Sequence, residues 1–216
     1  SLTPTDQSVR QSEWRERVAT TASLRPLFHP RTVAVVGASR SPQSIGYRIL
    51  DALHSNGFRG HCYAVNPHAS KIADVEAFPS LRALPEPADL VVIAVPKEAV
   101  LSVVDDCAAT GVRALVVITA GFAEVGEEGR RLQAQLLEKV RQHGMRMVGP
   151  NCFGILNTDP AVRLNATFTS TFPLAGSIAM SSQSGALGLA LLAASGRLHL
   201  GLSTFVSVGN KADVSV

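Results

Sequence analysis

The sequence predicts an α/β protein in which a doubly wound parallel sheet is followed by part of a second, smaller α/β unit. Three observations predict it. Apolar runs of strand length alternate with stretches of helix length from residue 32 onward. The downstream ends of those runs carry Gly, Pro, Asn or Ser. The first run, Thr32-Val33-Ala34-Val35-Val36, passes straight into Gly37-Ala38-Ser39-Arg40, and a helix begins near Ser44. Strand, glycine turn and helix form the opening unit of a Rossmann-like fold, and the turn gathers backbone N–H groups and a helix N-terminus at one point, as a phosphate requires. The same glycine also suits a tight turn with no ligand.

Taken in order, residues 1–23 are polar and weakly patterned, which predicts a linker or a loose helix. Leu24, Leu27 and Phe28 form a small apolar cluster, and Pro30 leads into the first strand. A helix is expected over 44–57, with Ile45, Ile49, Leu50 and Leu53 on one face and Gly57 ending it. The second strand is 61–65, followed after Asn66-Pro67 by an irregular stretch with a helical turn near Ser80–Leu84. Residues 89–95 are apolar almost throughout, as a strand buried on both faces should be, and Pro96 stops it. A helix over 97–110, a strand over 114–118, a helix from about Glu127 to His143 and a strand over 145–148 complete the first domain. Glu127 and Glu128 stand in the first turn of their helix, where acidic residues suit the dipole. Right-handed crossovers among these five strands lead to an expected order of 3-2-1-4-5 in one parallel sheet. Residues 151–175 lose periodicity and read as a connector. After it, a strand over 177–180, a turn over 181–185, an apolar helix over 186–194 and a strand over 203–208 make one βαβ unit. One unit does not close a core, so the domain boundaries expected are 24–150 for the first and 176–216 for part of the second.

Ligands of such sheets bind at the carboxyl ends of the strands. Those ends read Gly37-Ala38-Ser39, Val65-Asn66-Pro67, Val95-Pro96-Lys97, Thr119-Ala120-Gly121-Phe122 and Gly149-Pro150-Asn151-Cys152. Ile45 and Gly46, at the head of the first crossover helix, belong with this group. Turn chemistry alone also favours Gly and Pro at strand ends. The spacing argues against NAD. A dinucleotide turn needs G-x-G-x-x-G, whereas Ser39 holds the second glycine position and the next glycine is Gly46. The second strand ends in Asn66-Pro67-His68, without the carboxylate that would take the ribose 2′-OH. A phosphorylated nucleotide other than NAD is the expected ligand.

Composition narrows the rest. The chain has 216 residues, 46% of them apolar and 17% charged, with a net charge of +3. That describes a globular protein with a core, and its scattered basic residues exclude a nucleic-acid surface. Cys62, Cys107 and Cys152 have no paired spacing, so neither a disulfide frame nor a metal site is expected, and a reducing cytoplasm is. No apolar run reaches 18 residues, so no membrane helix is expected, and the polar first 20 residues do not read as a signal peptide. A first residue of Ser1 in place of Met points to a piece of something longer.

Six segments, VAVVGAS (33–39), VNP (65–67), GFAEVGEEG (121–129), GPNCFGILN (149–157), SQSGALG (182–188) and SVGNKADV (207–214), follow one another at characteristic spacing. Together they resemble the CoA-binding part of the NDP-forming acyl-CoA synthetases, relatives of the succinyl-CoA synthetase α-subunit, from about Leu24 to the end. The resemblance implies that coenzyme A lies across the strand tips, with Gly37, Ala38, Ser39 and Arg40 at its diphosphate. Asn66 and Pro67 would approach the adenosine. Val95, Pro96, Ala120 and Gly121 would line the pantetheine, with Phe122 beside them, and Asn151 and Cys152 would stand near the thiol. His68 follows the VNP triplet where a basic residue is usual, so Lys71 or Arg40 is the expected partner of the 3′-phosphate.

The resemblance further implies a flavodoxin-like second domain whose helix start, Ser182-Gln183-Ser184-Gly185, binds phosphate facing a phosphohistidine. Free amides at a helix start agree with that. Ser184 also reads as a simple helix cap, or as a hydrolase nucleophile, although Ser182 and Ala186 stand where the G-x-S-x-G elbow needs glycine. None of the six histidines has the Ser-His-Thr-Gly context of the phosphohistidine, and His199 reads as a strand-entry residue. The histidine, the catalytic glutamate, and an ATP-grasp domain or subunit with its ATP, ADP and Mg²⁺ are therefore expected beyond Val216 or in a partner, in an oligomer. Two activities fit the resemblance: interconversion of acyl-CoA, ADP and phosphate with acid, CoA and ATP, or CoA sensing within a protein fused to an acetyltransferase. An NAD(P) enzyme is the third and least favoured reading.

Overall fold

Two sheets share one apolar layer in the computed structural model, which describes residues 6–215. The helix α1 (Asp6–Phe28) precedes β1 (Thr32–Val36), α2 (Ile45–Ser55) and β2 (His61–Val65). Then come β3 (Lys71–Ile72), β4 (Val75–Phe78), a 3-10 turn over 81–83, β5 (Leu90–Ile93), α3 (Lys97–Ala109) and β6 (Ala114–Val117). The chain continues through α4 (Glu127–Gln142), β7 (Arg146–Val148), β8 (Gly154–Asn157), β9 (Leu164–Thr167), β10 (Ala175–Ser182), α5 (Gly185–Arg197) and β11 (Leu202–Ser207).

The first sheet runs β3-β4-β2-β1-β5-β6-β7. Counting only the five expected strands, its order is 2-1-3-4-5, not the expected 3-2-1-4-5. The correction has a physical cause. The irregular stretch after Asn66-Pro67 folds into the β3–β4 hairpin, and β4 pairs in parallel with β2, taking the place beside β2 that the strand over 89–95 was expected to fill. That strand, β5, pairs with β1 on its other side. The crevice where the winding reverses therefore opens between the tips of β1 and β5.

Alternation along the strands divides the core as the pleat requires. Val33, Val35, Val92 and Val116 face Ile49, Leu50 and Leu53 of α2 and Leu27 of α1. Ala34, Val91, Leu115 and Val117 face Val100 and Val104 of α3 and Leu136 and Val140 of α4. Val36 pairs with Val65 and Ile93, and Ile93 with Val117, so four strand tips end level with one another.

Two expectations change here. The expected linker is helical from Asp6 to Ser23, while residues 1–5 lie outside the described residues. Its last turn is held by Leu27, fully buried, with Leu24 and Phe28 packed alongside. The expected connector 151–175 contains the antiparallel pair β8–β9, part of a second sheet of order β10-β11-β8-β9. Buried polar residues broke its apolar alternation. Asn157 donates to the Phe28 carbonyl at 2.8 Å, Asn165 to the Thr169 carbonyl at 3.1 Å, and Thr167 to the Asn165 side-chain oxygen at 2.7 Å. Bonded in this way, such groups are tolerated inside.

Candidate functional site at the strand tips

The turn after β1 is built on glycine for packing as well as for conformation. Gly37 has φ of +92°, and a Cβ there would sit 2.5 Å from the Ala94 carbonyl oxygen. The turn is thus pressed against the tip of β5. Gly46, in the first turn of α2, would place a Cβ 2.7 Å from both the Ala38 Cα and the Gly37 oxygen, so the helix start seats directly on the turn. The intervening loop is held by two hydroxyls. Ser39 donates to the Ser44 hydroxyl at 2.9 Å and accepts the Ser41 N–H at 3.2 Å, while Ser44 caps α2 by accepting from the Tyr47 amide. Ser44, where the sequence places the helix start, thus ties the loop to α2.

Asn66 links the tips of β2 and β1. Its side-chain N–H₂ donates to the Ala38 carbonyl at 2.7 Å, its side-chain oxygen accepts the His68 amide at 2.7 Å, and its own amide donates to the Phe78 carbonyl. Gly37, Ala38, Ser39, Asn66, Pro67 and Val95 line one cleft of about 450 Å³. The far wall comes from residues with no motif of their own, namely Pro79, Ser80, Leu81, Val103 and Asp106. Arg40 is exposed beside this cleft in sequence, and Ile45 is 43% exposed at the start of α2.

Other expected residues are placed elsewhere. Lys71 lies in the edge hairpin, its ammonium 3.0 Å from the Asp74 carboxylate. The bond and charge of Lys71 hold Asp74 below the ordinary carboxylate range. Phe122 is fully buried in the core between the sheet, α3 and α4. Cys152, only 6% exposed, donates its thiol to the Val117 carbonyl at 3.3 Å, and burial pushes its pKa up to about 12. A thiol in that setting is packed into the core.

The tips of β6 and β7 meet the tip of β11. Gly209 (φ +54°) would place a Cβ 2.3 Å from the Pro150 oxygen, and the Asn210 amide donates to that same oxygen at 2.9 Å. Asn151 (φ +55°) donates from its side chain to the Asn210 side-chain oxygen at 3.3 Å. Glu124 sits at the junction. One carboxylate oxygen accepts the Gly121 and Phe122 amides at 2.5 and 3.2 Å, and the other accepts the Asn210 side-chain N–H at 2.5 Å. Partial burial works against the charge on Glu124, but the bonds from Asn210 and the Gly121 and Phe122 amides outweigh it and lower its pKa. Ala120, exposed beside this network, is not drawn into it. Both Glu124 and Asn210 stood inside quoted segments, GFAEVGEEG and SVGNKADV, and only their partners were hidden.

At the second sheet, Ser184 caps α5 by accepting the Leu187 amide at 3.2 Å, and Ser182 donates to the Ser184 carbonyl at 2.9 Å. Ser184 is thus engaged as the cap of α5. The amides that open α5 have no intrahelical acceptor, as at every helix start. Gly185 leaves 3.2 Å between a would-be Cβ and the Phe153 Cβ, so the turn Ser182-Gln183-Ser184-Gly185 lies next to the segment that leaves β7. His199, in left-handed backbone (φ +53°), bonds through its amide to the Gly196 carbonyl in the turn before β11. Among the described residues no group of His, Cys, Asp and Glu could hold a metal ion, and no helix is long and apolar enough to cross a membrane.

The family model described as CoA binding domain matches residues 31–158, and the succinyl-CoA ligase like flavodoxin domain matches 175–216. The acetate–CoA ligase (ADP-forming) I subunit alpha of Pyrococcus furiosus is 44% identical over 196 residues, 89% of this chain and 42% of that protein. The 4-hydroxybutyrate–CoA ligase (ADP-forming) of Nitrosopumilus maritimus is 36% identical over 190 residues, 88% of this chain and 27% of that protein. The solved structure of acetyl-coenzyme A synthetase 1 from Ca. Korarchaeum cryptofilum, in complex with phosphate and ADP, has a TM-score of 0.84 at 46% identity, over 89% of this chain and 40% of that one. The chain thus spans less than half the length of these relatives. With its first sheet inside one match and its last helix and strands inside the other, the chain belongs to the CoA-binding-domain family as it occurs in ADP-forming acyl-CoA synthetases, joined to part of a succinyl-CoA-ligase-like domain.

Proposed function

We propose that this chain is the CoA- or acyl-CoA-binding portion of an NDP-forming acyl-CoA synthetase. The reaction would interconvert acyl-CoA, ADP and phosphate with acid, CoA and ATP through a phosphohistidine outside this chain. The observation that carries the reading is the Asn66 bridge. Its amide must donate to the Ala38 carbonyl, 2.7 Å away. A carboxylate there would set an acceptor against an acceptor, so the turn of β1 is built around the absence of the group that NAD needs. Gly37, Ala38 and Ser39 then offer backbone to a diphosphate, while Val95 and Leu81 offer apolar walls to the same cleft.

In this reading Arg40 attends the diphosphate, and the amides at Gly185 receive the phosphoryl group that passes to and from the histidine. ATP, ADP and Mg²⁺ are held by an ATP-grasp domain or partner subunit, within a cytoplasmic oligomer. A CoA-sensing role beside an acetyltransferase would use the same cleft without turnover. Titration calorimetry with CoA, NAD and NADP tests the reading. Binding of CoA without NAD or NADP is the expected result, and binding of NAD without CoA overturns it.

A further inference from the structure

The cleft at the β1 turn continues past the strand tips along one side of α3, and its electrostatics are uneven. At one end stand Gly37, Ala38 and Ser39, and at the other Val103 and Asp106 of α3, with Leu81 beside them. Val103 and Asp106 are three residues apart and so share one side of the helix. α3 starts at Lys97, by the tip of β5, and Asp106 stands in its last turn, roughly 13 Å further along the axis at 1.5 Å per residue. Of the described residues that line the cleft, Asp106 alone carries a charge. Its neighbour Asp105 turns instead to α4, where it meets the Lys139 ammonium at 2.6 Å. Successive helix residues point about 100° apart, so Asp106 turns away from that pair, and it forms no ion pair among the described residues. An acid in the last turn of a helix also faces the negative end of the dipole, and α3 has no basic residue there to offset it. The carboxylate thus stands where local electrostatics disfavour it.

From this placement we infer that Asp106 reads the base of the bound nucleotide, its carboxylate accepting a hydrogen bond from the exocyclic amine of adenine. The inference rests on the CoA reading above. The diphosphate belongs at the turn, where backbone amides gather, and a phosphate at the far end would meet like charge. What reaches Asp106 is therefore the uncharged base, hung from the diphosphate past Asn66 and Pro67, which line the same cleft. Leu81, Val95 and Val103 give that base apolar walls. The N6 amine of adenine is a donor, and its bond to an ionised carboxylate is of the stronger, charge-assisted kind. A base with a 6-oxo group would set an acceptor against an acceptor. Asp106 is thus a specificity-determining residue, which selects the amine and keeps the phosphates at the opposite end.

The test is calorimetry on the parent, Asp106→Ala and Asp106→Asn with two ligands, CoA and its hypoxanthine analogue, in which a 6-oxo group replaces the 6-amine. The parent should bind CoA about tenfold more tightly than the analogue. Asp106→Ala should bind the two alike. Asp106→Asn, whose amide can donate to the 6-oxo group, should shift the ratio toward the analogue. Neither variant should melt below the parent, since the acid removed opposes the dipole of α3. The readout is the ratio of two equally charged ligands on one protein, so a general change in the charge or fold of the site cancels from it. A parent that binds CoA and the analogue alike, or an Asp106→Ala that keeps the parent's ratio, overturns the inference while the CoA reading stands. If the parent chain binds no CoA, both fall together.

Discussion

Replacing Gly37 by alanine tests the central turn, and its cost can be worked from the structure. Two penalties act. At φ +92° an L-residue is strained by about 1–2 kcal/mol. The added methyl would also lie 2.5 Å from the Ala94 oxygen and 2.6 Å from its carbon. These are backbone atoms of the adjoining strand tip, tied to β1 by the Ala94 amide, which donates to the Val36 carbonyl at 2.9 Å. They cannot yield as a flexible side chain would, so overpacking adds about 1–3 kcal/mol. The sum, about 2–5 kcal/mol, corresponds to a fall in Tm of roughly 5–15 °C for a chain of this size. Gly144 is the control, because its φ is +64° but a Cβ there meets nothing within 4 Å. Gly144→Ala should therefore cost only the conformational part, about 1 kcal/mol. Thermal melts followed by circular dichroism measure both. If Gly37→Ala melts as Gly144→Ala does, the β1 turn is not pressed on the tip of β5 and the packing argument fails.

Two further outcomes follow from the tips. Glu124 has a pKa below its ordinary 4.5, so its charged form is favoured by folding. That stabilisation is fully present above the ordinary value and is lost as pH falls through the lower folded value. The Tm gap between the parent and Glu124→Gln should thus be widest near neutrality and shrink on acidification, and a gap that widens toward acid refutes the assignment. Cys107 and Cys152 are buried thiols, each pushed up to about 12 by burial, against which the nearby backbone bonds count for less. Neither should react with a disulfide reagent in the folded chain, with or without CoA, and both should react in guanidinium. Rapid labelling of native Cys152 would show that the segment leaving β7 is open.

What was legible in the sequence depended on whether a residue's partner was local. Strands such as Thr32–Val36 and 90–93 were readable because burial on both faces demands unbroken apolar runs, and Gly37 was readable because a strand-to-helix turn demands it. The order of those strands was not, since it was decided by β4, Val75–Phe78, a short strand paired with β2 in a stretch that showed no clear period. The β8–β9 pair was hidden for a different reason. Asn157 and Asn165 look like loop residues until the carbonyls of Phe28 and Thr169 are brought to them by the fold. The direction of the Cys152 thiol was equally hidden, because a tip position says nothing of it, and the thiol turns inward to Val117. The network through Glu124, Gln133 and Asn210 joins residues 77 to 86 positions apart, so no periodicity could have announced it. Along the strand tips, therefore, glycine turns could be read directly, while the partners of side chains such as Glu124 and Cys152 came only with the fold.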